Sequence, residues 1–147
     1  MIKTVIALSK DEFLGVLKGD RPDNRAYISI LDADAGEIIP TGSTTLSQKF
    51  ADWNAWSDIC VSDKGAMTYT QAVEMVKFIC ALHSRNKEYN LIVHCSAGVC
   101  RSGAVAQFVH VVCQTDTKFF DKHNNHIIPN IWVLNLLASV YSTYKIA

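Results

Sequence analysis

The chain has 147 residues, enough for one ordinary domain and too few for two, and at 49% hydrophobic it can bury a sizeable core. Its 14 Lys and Arg balance its 14 Asp and Glu, which argues against a polyanion binder, since such proteins carry a basic excess. The five cysteines, Cys60, Cys80, Cys95, Cys100 and Cys113, are odd in number and form no Cys-x-x-Cys pair, which points away from a disulfide framework or a structural zinc site and towards a reducing compartment.

In chain order, Met1 to Ser9 is apolar but shorter than a signal-peptide core. Val5–Leu8 reads as a short buried strand. Ser9-Lys-Asp-Glu12 is a capping box that predicts a helix to about Lys18, ended by Gly19-Asp-Arg-Pro22. Ala26–Leu31 is β-branched, aromatic and continuous, as an interior strand requires. Asp32–Ser43 carries the breakers Gly36, Pro40 and Gly42, and Thr44–Phe50 alternates weakly as a further strand. Ala51–Met67 is expected to be a long loop with a helical turn, and loops of that length are often functional.

A helical stripe follows over Thr70–Arg85, formed by Ala72, Val73, Val76, Ile79, Cys80 and His83. Leu91–Val93 is a short apolar strand running into His94 and then a loop. Ser102–Gln114 is apolar on most sides, as a deeply buried helix would be. Thr115–Pro129 reads as polar and irregular. Asn130 caps a last helix with a stripe of Ile131, Leu134, Leu137, Ala138 and Tyr141. Strands alternating with helices predict an α/β fold, a mostly parallel sheet of about four to five strands with helices on both faces. The expectation is one domain over residues 1–147, cytoplasmic and monomeric, with no membrane or nucleic-acid partner.

The chemistry concentrates in His94-Cys-Ser-Ala-Gly-Val-Cys-Arg-Ser102. This loop leaves the carboxyl end of a buried strand and enters a helix N-terminus, where successive amides can curl around a tetrahedral oxyanion. Gly98 permits the backbone angles and close approach that such a cradle needs. Cys95 at its base sits in a positive field that favours thiolate. Arg101 offers a planar fork for two oxygens of one phosphate. Ser102 can donate a hydrogen bond to the Cys95 sulfur.

The stretch resembles the active-site signature of the protein tyrosine phosphatase superfamily, His-Cys-x5-Arg-Ser/Thr, at His94, Cys95, Arg101 and Ser102, with Gly98 at the usual glycine position. The chain is similar in length to compact dual-specificity-like members of bacterial or phage type. Weaker likeness extends to the strand at 26–31, Phe50-Ala-Asp52, the helix at 70–85 and Pro129-Asn130. The resemblance implies a phosphate loop of Ser96, Ala97, Gly98, Val99, Cys100 and Arg101, a phosphorylated protein or small phosphomonoester as substrate, and hydrolysis through a cysteinyl-phosphate without metal or other cofactor. It also implies an aspartic acid on an upstream loop. The Phe-x-Asp context favours Asp52, while the shorter gap to Cys95 favours Asp58 or Asp63, with Trp53 and Trp56 flanking.

Other readings remain beside this one. The loop can hold phosphate without turnover, or carry sulfur as rhodanese-like enzymes do, although His94 and the Arg-Ser ending favour phosphate hydrolysis. Cys100 is either a small filler or the partner of a reversible disulfide with Cys95 that protects the nucleophile, a residue that low-molecular-weight phosphatases also carry before their Arg-Ser. Cys80/His83 and His110/Cys113 fall three apart on helices, a spacing that serves a metal ion or, more simply, core packing. His123 and His126 lie in a polar stretch. The variable loop positions Ser96, Ala97, Val99 and Cys100 bear no charge, which disfavours polyphosphorylated inositols.

Overall fold

In a computed structural model that describes residues 1–36, 39–53 and 65–146, four strands form one all-parallel sheet. Its strands are β1 (Ile2–Leu8), β2 (Arg25–Leu31), β3 (Thr45–Lys49) and β4 (Tyr89–His94), in the order β1-β4-β2-β3. Helix α1 (Lys10–Lys18) follows β1, α2 (Tyr69–His83) precedes β4, and α3 (Arg101–Cys113), α4 (Thr117–His123) and α5 (Ile131–Ile146) complete the chain. Central strands covered on both faces must be apolar throughout, and β2 is buried from Ala26 to Leu31 while β4 buries Leu91, Ile92 and Val93.

The two faces are unequal. On one, Phe13 of α1 packs on Tyr27 and Ile92. On the other, α2, α3 and α5 supply Ala72, Met75, Val76, Ile79, Val105, Val109, Val133 and Leu137 to the main core. Because β4 lies between β1 and β2, its carboxyl end sits where the chain leaves one strand for α1 and its neighbour for α3. Such a divergence opens a crevice above the sheet.

Local chemistry explains the helix starts. Ser9 accepts the Glu12 amide while Glu12 accepts the Ser9 amide, as the sequence suggested. A second reciprocal box, Thr68 with Gln71, starts α2 at Tyr69 rather than Thr70. The Asn130 side chain accepts the Val133 amide at 3.0 Å and starts α5.

Three expectations are corrected. β1 starts at Ile2, three residues earlier than its apolar run implied, because the Ile2 amide donates to His83 Nδ1 and Tyr89 pairs with the Met1 carbonyl. The stretch expected to be irregular holds α4, whose N-cap Asp116 accepts the Phe119 amide at 2.9 Å and whose Phe120 enters the core. The buried stripe of α5 is Val133, Leu137 and Val140, whereas Ile131 and Ala138 face solvent.

The free edge of β1 is closed by a side chain and by the main chain ahead of α4. Asn124 accepts the Ala7 amide at 2.8 Å and donates to the Val5 carbonyl at 2.9 Å, and the Asp116 amide donates to the Lys3 carbonyl. Among the described residues, no helix is long and apolar enough to cross a membrane.

Candidate active site

The 94–101 loop leaves the carboxyl end of β4 in the crevice and enters α3 at Arg101. Cys95 lies at its base, 1% exposed. Its Sγ accepts the Gly98 amide at 3.3 Å and lies 3.1 Å from Ser102 Oγ. Gly98 adopts φ +75°, and a Cβ there would stand 2.4 Å from the Ser9 nitrogen and 2.5 Å from the Leu8 carbonyl carbon. Both contacts are backbone at the β1–α1 junction, so only glycine fits.

The loop's carbonyls point away from its interior. Ser96 O accepts the Lys10 amide at 3.1 Å, Val99 O accepts the Ile128 amide at 3.1 Å, and Cys100 O accepts the amides of Ala104 and Asn130 at 2.9 Å each. A peptide whose oxygen is held outward turns the following N–H inward. The scaffold thereby prepares a concave row of donors, the arrangement that binds oxyanions.

Arg101 is buried although it is an arginine. Its Nη1 donates to the Phe50 carbonyl at 2.8 Å and its Nη2 pairs with Asp32 Oδ1 at 2.9 Å. Its Nε is buried with no hydrogen-bond partner among the described residues. An unsatisfied buried guanidinium donor is costly and calls for an acceptor, a role that an anion's oxygen would fill.

His94 is buried between Phe13, on whose ring it stacks at 4.0 Å, and Ser29, whose Oγ lies 2.6 Å from Nε2. Burial lowers its pKa from 6.5 to about 4, with the Cys95 backbone opposing and Lys10 and Arg101 adding to the fall. At neutral pH the imidazole is uncharged, which suits a spacer behind Cys95 rather than a proton donor.

Asp52 follows β3 and reaches the edge of the loop. Its Oδ1 accepts Asn130 Nδ2 at 2.7 Å, and the same Asn130 amide donates to the Trp53 carbonyl at 3.1 Å. Trp53 packs edge-on against Trp132 at 5.6 Å. Burial first, then the neighbouring Asp52 and Cys95, raise the Cys100 pKa, while Arg101 lowers it. Cys100 thus stays a thiol within hydrogen-bond reach of Asp52. Asp58, Asp63 and Trp56 lie outside the described residues.

Two site residues escaped the sequence reading. Asp32, directly after β2, pairs with Arg101; its place at the carboxyl end of a parallel strand was the available signal. His126 contacts Gly98 from outside the loop through a bond that no spacing rule encodes. The two helical pairs take part in packing and local bonding, as the simpler reading expected: Cys113 packs in the core and Cys80 against it, His83 Nδ1 takes the Ile2 amide, and His110 stacks on Phe120 and bonds Thr115. No cluster of three or more metal-ligating side chains occurs among the described residues.

Comparison with known proteins bears on the family and the fold. The family model described as protein-tyrosine phosphatase matches residues 37–131. No curated protein matches the sequence. Among solved structures, a mutant form of Tk-PTP superposes with a TM-score of 0.51 at 14% identity, covering 98% of this chain and 93% of that one. The active form of Tk-PTP gives 0.50 at 13% identity over 94% and 90%. PTPMT1 in complex with PI(5)P gives 0.50 at 15% identity over 98% and 95%. At these identities the superpositions speak for the fold, and the family match covers well over half of the chain: it belongs to the protein-tyrosine phosphatase family, as a cysteine phosphatase of that fold.

Proposed function

We propose that the protein is a protein-tyrosine or dual-specificity phosphatase that works through a cysteinyl-phosphate on Cys95. The observation that carries this is the cradle itself: Cys95 Sγ under the Gly98 amide, ringed by outward-tied carbonyls, with the buried Arg101 Nε awaiting an acceptor. The Cys95 thiolate attacks phosphorus in line and the bond to the leaving oxygen breaks. A carboxylic acid gives that oxygen its proton. Water then attacks phosphorus and yields its proton to the same carboxylate. The sulfur–phosphorus bond breaks, and Ser102, 3.1 Å away, donates to the departing sulfur. Arg101 and the amides of Ser96, Ala97, Val99 and Cys100 bind the equatorial oxygens as charge moves, while the Gly98 amide holds the Cys95 sulfur.

Asp52 is the first candidate for the acid, because its carboxylate stands beside the loop, between Asn130 and Cys100. Asp58 and Asp63 are the alternatives. The substrate reading rests on the uncharged loop positions, which give a second or third phosphate no cation to meet.

The test is metal-free hydrolysis of p-nitrophenyl phosphate, of phosphotyrosyl and phosphoseryl peptides and of PI(5)P vesicles. Activity on the aryl and phosphotyrosyl substrates should vanish in Cys95→Ser while inorganic phosphate still binds. Activity that survives Cys95→Ser ends the proposal, and preference for the lipid overturns its substrate class. A parent protein that binds phosphate but turns over nothing is the binding-only reading. Among Asp52→Asn, Asp58→Asn and Asp63→Asn, the true acid is the variant that loses activity on alkyl phosphates far more than on p-nitrophenyl phosphate, whose leaving group needs no proton.

A further inference from the structure

The segment 124–130 runs along the outer wall of the loop and bonds it repeatedly. The Ile128 amide takes the Val99 carbonyl and the Asn130 amide takes the Cys100 carbonyl. One position further back, the carbonyl of Gly98 receives no main-chain partner from this segment. It receives His126 instead: Nε2 lies 3.0 Å from Gly98 O and 3.2 Å from Ala7 O. Carbonyl oxygens only accept, so Nε2 carries the proton and shares it between the two. Three consecutive carbonyls, Gly98, Val99 and Cys100, are thus held outward by one short segment.

We infer that His126 is a positioning residue for the phosphate loop. It sets the tilt of the Gly98–Val99 peptide and with it the direction in which the Val99 N–H faces the oxyanion. It acts where the loop is under most backbone demand. Gly98 has φ +75°, and its own N–H is committed to Cys95 Sγ. Without an outer partner its carbonyl would be free to turn inward, placing a negative dipole where the phosphate should bind. The second acceptor, Ala7 O, belongs to the edge of β1 beside Asn124, so the histidine anchors the loop to the sheet. Glu12, whose carboxylate is held below the usual range by Ser9 and more weakly by His126, faces the same imidazole. Protonation of the ring leaves Nε2 a donor, so the brace persists in either charge state.

This inference rests on reading the loop as an oxyanion cradle, and its test separates the two. The affinity of the full chain for inorganic phosphate is measured by calorimetry, and the rate of Cys95 alkylation by iodoacetamide with and without phosphate. Neither readout requires turnover. The variants are His126→Ala and His126→Phe, which lack the donor, and His126→Gln, which keeps it. His126 is exposed, so the variants should fold. One lost hydrogen bond predicts phosphate affinity weaker by roughly threefold to tenfold in both donorless variants. The Michaelis constant should rise in parallel, thermal stability should change little, and His126→Gln should restore most of the affinity. Phosphate affinity equal to the parent's in the donorless variants overturns the inference. So does a His126→Gln protein no better than His126→Ala. A parent that fails to bind phosphate overturns both this inference and the phosphatase reading.

Discussion

The inside and the outside of the 94–101 loop are built on opposite principles. Outside, acceptors are matched: Ser96, Gly98, Val99 and Cys100 each place a carbonyl on a partner fixed by β1, α1, α3 or the segment before α5. Inside, donors are left in excess, with Arg101 Nε buried and unpartnered among the described residues. The satisfied wall adds to the stability of the fold, and the unsatisfied wall offers donors that an anion would satisfy. The contrast teaches that the outer bonds aim the inner donors, so substitutions should differ in how their effects divide between stability and binding.

Gly98→Ala should break the contrast most severely, since it acts on both walls. Strain at φ +75° adds to a clash with the Leu8–Ser9 backbone, a cost on the order of 3 kcal/mol or more. Unfolding curves should show a lower midpoint, and phosphate hydrolysis should fall by about a hundredfold or more. A stable, active Gly98→Ala protein would refute the packing described.

Acid tests the buried spacer next. His94 titrates at about 4 when folded against 6.5 when free. The unfolded chain therefore binds the proton more readily between those values, and stability rises with pH across that window. It should be fully present above pH 6.5 and decline as pH falls towards 4, by up to about 3 kcal/mol. Urea titrations from pH 7 to pH 4 should show the slope in the parent and a reduced slope in His94→Asn.

Asn130→Ala should cost about 1–2 kcal/mol, because Asn130 is 1% exposed and caps α5 while holding Asp52 and Trp53. Turnover should fall alongside stability if Asp52 is the acid. The smallest effect belongs to Asp32→Asn. Asp32 is half exposed, so its pair with Arg101 should contribute less than about 1 kcal/mol and weaken with salt. The Michaelis constant should rise a few-fold at low salt, and the difference should shrink at high salt.

How far these walls were legible in the sequence follows from what fixes them. The residues of the inner wall stood out as a motif, since His94, Cys95, Gly98, Arg101 and Ser102 fall within one stretch, 94–102, and each suits the local chemistry. The strands around it were readable because burial on two faces forces unbroken apolar runs, as in Ala26–Leu31. The outer wall was not. Asp32 and His126 meet the loop only after the sheet has formed, and a carbonyl held by a remote imidazole leaves no trace in spacing. Helix α4 was hidden because it is two turns long and its apolar residues are confined to Phe119 and Phe120, of which Phe120 alone is buried. The α5 stripe was misplaced because the helix is apolar on several sides, so periodicity alone did not choose Val133, Leu137 and Val140 over their neighbours.

Asn124 carries a consequence beyond the site. An exposed parallel strand is a template on which a foreign chain can add and start a fibre. By accepting from Ala7 and donating to Val5, this one amide side chain imitates a neighbouring strand along the margin of β1. Together with the Asp116 amide on Lys3 and His126 on Ala7, it occupies one of the two borders of the sheet, so replacing this carboxamide should make the protein more prone to edge-to-edge association.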